Sequence, residues 1–159
     1  MEFNDEKIRL IKDYLLQHQH TIAVAESVTA GLLQFALSTA DDAIHFYQGG
    51  ITAYNLGQKA RQLHIEPIHA ARCNCADGKV AAEMAIHVTQ LFSSQWGISI
   101  TGYATPVPES GNQVFAYYAI AQKDRVVASG KMQGGNGTAK EVQLYYVNAV
   151  LGAFLKLLG

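Results

Sequence analysis

Along this chain, stretches in which apolar residues recur every three or four positions alternate with short unbroken apolar runs, the signatures of helices and of buried strands. Ile8, Ile11, Leu15 and Leu16 fall at helical spacing among charged residues over 5–18, which predicts an amphipathic helix ending near 18–20. The apolar run 21–25 predicts a buried strand, and 28–37 a mostly buried helix. A short strand behind a glycine turn is expected over 49–54, and a helix carrying Lys59 over 56–63. Asp77 is placed to cap a longer helix over 78–93, with Val80, Met84, Val88 and Leu91 on its inner face. A buried strand follows over 96–101, then a loop over 103–112 that holds Pro106, Pro108 and Gly111. Segments 114–121 and 125–132 flank 122–124 as a hairpin, and Thr138-Ala-Lys-Glu141 is a capping box opening the last helix.

Helices alternating with apolar strands predict an α/β fold, a three-layer αβα sandwich whose sheet of about five strands is mixed because of the hairpin. At 159 residues and 49% hydrophobic, the chain suits one domain over 1–159 with a core that folds without staples. Net charge is −1 and no run of like charges occurs, so no nucleic-acid partner is expected. No apolar run reaches membrane-spanning length and the N-terminus has no signal-peptide pattern, so no membrane partner is expected and the protein is read as cytoplasmic. Cys73 and Cys75, one residue apart, are too close for an unstrained mutual disulfide and are read as free thiols. Adding His69 and Asp77 would make a metal-ligand set, but the cysteine spacing is not the usual zinc pattern, and no metal is expected.

The chemistry gathers at strand ends. Glu26-Ser27-Val-Thr29 directly follows the first strand, so Ser27 lands at its carboxyl end, where open α/β sheets bind ligands. A helix starting at 28 would aim free backbone N–H groups at whatever sits beside Ser27. Two further polar signatures could reach the same edge: Gln48-Gly49-Gly50 through Tyr54-Asn55 to Lys59, and Ser99-Ile-Thr101-Gly102-Tyr-Ala104. None contains a histidine; a lysine whose pKa is lowered by burial or another cation can serve as a base instead, and Lys59 would be that base for Ser27. Each residue also has a plainer role: Ser27 as a helix cap, Lys59 as a solvated cation, Tyr54 as a core ring, Thr101 as a strand-end hydrogen-bonding group and Glu26 as a partner of a cation or of backbone amides.

Ala25-Glu26-Ser27-x-Thr29-x-Gly31, Phe46-x-x-Gly49-Gly50-x-x-x-Tyr54-Asn55-x-x-x-Lys59 and Thr101-Gly102-x-Ala104-x-Pro106 together resemble the CinA C-terminal domain family, which includes nicotinamide mononucleotide deamidases. That resemblance implies a cofactor-independent amidohydrolase converting nicotinamide mononucleotide and water to nicotinate mononucleotide and ammonia. It implies Ser27 as nucleophile, Lys59 and Tyr54 as its activating partners, and Thr29, Gly31, Gln48, Gly49, Asn55, Thr101 and Gly102 as substrate-binding positions. It also implies a homodimer. The chain departs from the family's pattern at Ala30 and Thr105, where glycines are usual, and at Gly137, where an arginine is usual. The N-terminal domain of full-length CinA is not present in the 159 residues. An alternative stays open: a catalytically weakened relative that binds a nucleotide or a protein.

Overall fold

The computed structural model describes residues 2–159 and contains a five-stranded sheet in the order β2-β1-β3-β4-β5. The strands are β1 (Ile22–Glu26), β2 (Tyr47–Thr52), β3 (Trp96–Gly102), β4 (Phe115–Gln122) and β5 (Arg125–Gln133). β1 runs parallel to both β2 and β3, whereas β3–β4 and β4–β5 are antiparallel. Helices α1 (Asp5–His18), α2 (Leu32–Ser38) and α6 (Ala139–Leu158) cover one face; α3 (Leu56–Leu63), α4 (Pro67–Arg72) and α5 (Gly78–Phe92) cover the other. The protein is therefore an αβα sandwich with a mixed sheet, as the pattern predicts.

Alternation along the strands decides which layer each residue joins. Ile22 and Val24 of β1, with Ile98 and Ile100 of β3, are buried against Ile11, Leu15, Leu33, Leu37, Val147, Leu151 and Phe154. The opposite face of β1 offers only Ala23 and Ala25, and α5 settles there through Val80, Met84 and Val88. Small residues are required because α5 comes very close: a Cβ on Gly97 of β3 would stand 2.4 Å from the Ala85 carbonyl oxygen and 2.6 Å from Thr89 Cγ2. Ser99 resolves the same contact differently, donating its hydroxyl to the Ala81 carbonyl at 2.6 Å.

Several boundaries differ from expectation for physical reasons. The expected 28–37 helix begins only at Leu32, because residues 27–31 form a turn with Ala30 and Gly31 at positive φ, 50° and 102°. β2 is Tyr47–Thr52 rather than 49–54: it pairs with β1 from Ile22 onward, and its glycines lie inside the strand. Helix α4 has no apolar repeat to announce it; Pro67 starts it, and the Glu66 carboxylate accepts from the Ile68 and His69 N–H groups. Leu91 is 51% exposed instead of lining α5's inner face. The last helix opens on the expected capping box, with Thr138 and Glu141 each satisfying the other's backbone N–H. No helix among the described residues is long and apolar enough to cross a membrane.

The tight approach of α5 gives a direct test. Gly97→Ala is expected to destabilise the fold by about 1–3 kcal/mol through overpacking. In urea titrations this reads as a lower midpoint at unchanged slope.

Candidate active site

The turn after β1 is built around one carboxylate. Glu26 is fully buried; its Oε1 accepts from Thr29 Oγ1 at 2.6 Å and from the Leu33 N–H at 2.8 Å, and its Oε2 accepts from the Gln34 N–H at 3.0 Å. The N-terminus of α2 is thus capped from inside the fold by Glu26, not by Ser27, and its amides do not face the Ser27 hydroxyl as the sequence suggested. Backbone bonds hold the turn to both neighbouring strands: Ser27 N–H donates to Ile100 O at 3.0 Å, and Ala53 N–H to Glu26 O at 2.9 Å.

With its cap role taken over, the Ser27 side chain faces α3. Asn55 accepts from the Gln58 N–H at 3.0 Å and starts that helix, which puts Lys59 on its buried side. Lys59 is 2% exposed and Ser27 6%, and Lys59 Nζ donates to Ser27 Oγ at 2.9 Å. Lys59 is therefore not a solvated cation, and no carboxylate among the described residues lies within ion-pairing distance of it. Burial pushes its ammonium below the usual lysine value, against the opposing influence of the Cys75 thiol nearby. Burial in turn raises the Cys75 thiol, which Lys59 counteracts.

The pair opens into a cavity of about 560 Å³, within the range of small-molecule sites, roughly 300–1,000 Å³. Its wall includes Tyr54, Asn55, Thr101, Gly102 and Gln143 besides the pair. Tyr54 is 66% exposed, so its ring is not in the core; it stands at the rim. Thr101 Oγ1 donates to Cys75 O at 2.5 Å, which commits its one proton to holding the 73–76 turn. Gln143, which sequence reading missed, reaches the wall from α6 and donates through Nε2 to Val28 O at 2.9 Å. Its position one turn into the capped helix was the available signal.

Other expected site residues lie elsewhere. Thr29 is buried against Glu26, and Gly31 is the residue before α2; neither lines the cavity. Gln48 and Gly49 sit at the start of β2, opposite the amino end of β1 and away from Ser27. The glycine pair serves packing: a Cβ on Gly49 would meet Phe92 Cε1 at 2.9 Å, and one on Gly50 would meet Gln34 Cγ at 2.6 Å. The Gly134–Gly137 stretch links β5 to α6 and also stays outside the wall.

Two outcomes follow. Glu26→Ala, which strands three donors, two of them buried and one half-buried, is expected to cost about 3 kcal/mol or more, with Glu26→Gln costing less, in chemical denaturation. For Lys59, the folded value lies below the unfolded one, so between the two the unfolded chain holds more protons and stability rises with pH. Lys59→Met, which removes the buried amine, should therefore gain stability over the parent most at neutral pH, with the gap narrowing toward the ordinary lysine value, as Tm measured across pH would show.

The family model for the CinA C-terminal domain matches residues 4–158. A CinA-like protein of Prochlorococcus marinus is 29% identical over 99% of this chain and 38% of its own length, and one from Picosynechococcus is 33% identical over 72% of this chain and 27% of its own. Protein MG115 of Mycoplasma genitalium is 37% identical over 60% of each chain. The chain thus spans well under two thirds of these relatives. Among solved structures, a competence or damage-inducible protein from Enterobacter asburiae superposes with a TM-score of 0.93 at 22% identity over the whole of both chains. A CinA superfamily protein from Escherichia coli gives 0.89 at 26% identity over 99% of this chain and 94% of that one. With the domain matched almost end to end, the three motifs have a common origin: this chain belongs to the CinA C-terminal domain family.

Proposed function

We propose that this protein hydrolyses the carboxamide of nicotinamide mononucleotide, or of a related small amide, to the carboxylate and ammonia through Ser27 and Lys59. The observation that carries the reading is the buried contact between Lys59 Nζ and Ser27 Oγ at 2.9 Å. A serine hydroxyl needs a base at neutral pH, and a lysine held neutral by burial can supply one, the logic of Ser–Lys dyads. In the neutral form the contact reverses: Ser27 Oγ–H donates to Lys59 Nζ. Oγ attacks the amide carbon while its proton passes to Nζ. The tetrahedral intermediate expels ammonia as Nζ returns that proton to the leaving nitrogen, leaving an ester on Ser27. Water, deprotonated by Nζ, then cleaves the ester to the carboxylate and free Ser27.

The developing oxyanion needs a donor other than Thr101, whose proton is already committed. Val28 follows the nucleophile directly and lines the cavity, and its N–H donates to no protein acceptor among the described residues, so we assign it that role. Loss of one such donor elsewhere costs roughly 3–4 kcal/mol of transition-state stabilisation. Tyr54 at the rim closes over substrate or relays protons with solvent. Cytoplasmic residence and a homodimer accompany this reading.

One observation favours the second reading, a nucleotide- or protein-binding module with weakened catalysis. Lys59 is the only basic side chain in the cavity wall among the described residues, and no arginine is on hand to grip a phosphate or a developing charge.

Ammonia release from nicotinamide mononucleotide, compared with its dephosphorylated nucleoside, tests both. The expected result is turnover that falls by at least about 10³-fold in Ser27→Ala and in Lys59→Ala. The rate should rise with pH through a Lys59 ionisation below the ordinary lysine value, because only the neutral amine accepts the proton. Saturable binding with no ammonia would replace this reading with the second.

A further inference from the structure

Three donor atoms converge beside the cavity and take no part in the chemistry above. His69 near the end of α4, Cys73 capping that helix and Asp77 capping α5 offer a ring nitrogen, a thiol sulfur and a carboxylate oxygen, all within 4.8 Å of one another. We infer that these three side chains form a binding site for a divalent metal ion of the zinc class, with its remaining position open to water.

The donor set suits such an ion. One thiolate and one carboxylate neutralise a double positive charge, and imidazole and sulfur are the ligands that zinc and its first-row neighbours prefer. Asp77 is already oriented for it: Oδ1 accepts from the Val80 N–H at 2.9 Å, and Oδ2 is turned to His69 Nε2 at 2.5 Å. That N–H stays in place on coordination as the outer hydrogen bond that steadies a ligating carboxylate. Ligand atoms around one tetrahedral zinc stand roughly 3.3–3.8 Å apart, given bonds of about 2.0–2.3 Å. The ion therefore replaces the proton between His69 and Asp77 and spreads the two by about 1 Å, within reach of side chains that are only partly buried. A structural His–Asp pair needs no sulfur beside it, yet Cys73 is there, donating to the Ala70 carbonyl at 3.6 Å while the Cys75 and Ala76 N–H groups point at its sulfur and leave it aimed at the pair.

Placement gives the site a consequence. Ala70, Ala71, Asn74 and Cys75 of the same segment line the cavity, whereas His69, Cys73 and Asp77 do not. An ion there would join α4 to the start of α5 and stiffen the wall between them.

Cobalt(II) titration of the chelator-treated protein tests this without any substrate, so its outcome is independent of the amidohydrolase reading. Expected are tetrahedral d–d bands and a thiolate-to-cobalt charge-transfer band, saturating at one equivalent and displaced by zinc. Cys73→Ser should abolish the charge-transfer band, His69→Gln should weaken binding at least about tenfold, and Cys75→Ser should leave both bands in place. Zinc should raise the parent's Tm but not that of Cys73→Ser, and circular dichroism of each metal-free variant establishes that it is folded. No saturable band, or a band that survives Cys73→Ser, would show that the cluster is a hydrogen-bonded pair with a bystander thiol.

Discussion

The carboxylate of Glu26 organises the centre of this fold. It is buried with no cation paired to it among the described residues, and what makes that tolerable is complete hydrogen bonding by a hydroxyl and two helix-terminal amides. Those amides are the orphan donors that every helix start must satisfy, and here they are met from the end of the strand that precedes the helix. One residue thereby ties β1 to α2 and fixes the chain direction between them. Ser27 is left with its backbone pinned to β3 and its side chain free to face the other layer. Ala30 carries part of the cost, holding a left-handed conformation in which a Cβ is disfavoured.

On that turn rests a second unusual arrangement, an amine buried beside a hydroxyl with no acid among the described residues to neutralise it. Burying a charge unpaired is costly, which shifts the amine toward its deprotonated form. The fold thus lowers the amine's proton affinity through position alone, since Asn55 determines where α3 starts and hence which of its faces Lys59 occupies. The surrounding wall is mostly small and, Lys59 apart, carries no ionisable acid or base of the Asp, Glu, Arg or His kind among the described residues.

Architecture was legible in the sequence because strand and helix periods are written plainly in the apolar residues, and the two caps at Asp77 and Thr138 mark their helices directly. The start of α2 was not, because the turn at 27–31 is apolar enough to continue the helical pattern while Gly31 and the distant geometry of Glu26 interrupt it. Ser27 and Lys59 could be paired by the absence of a histidine from the motifs, but only the motif resemblance favoured that pairing over their plainer roles: nothing local in 56–63 distinguishes a buried lysine from a solvated one. Gly49 and Gln48 misled for a related reason. A glycine pair looks alike whether it admits a ligand or a neighbouring helix, and Phe92 and Gln34, the side chains that decide, are remote in sequence. His69 and Asp77 were visible beside the cysteines as a possible ligand set, but with no periodic signature in α4 the sequence could not show that Cys73 faces them and Cys75 does not, so the Cys73–Cys75 spacing argued against it.

The cavity wall draws on five separated stretches, around Ser27, Tyr54 to Lys59, Ala70 to Cys75, Thr101 to Val107 and Ala139 to Gln143. No single hairpin or helix pair can form it, so the pocket exists only once every layer has assembled. A molecule lodged there is coupled to the global folding equilibrium rather than to a local opening, and its occupancy would be felt as protection from proteolysis across the whole chain.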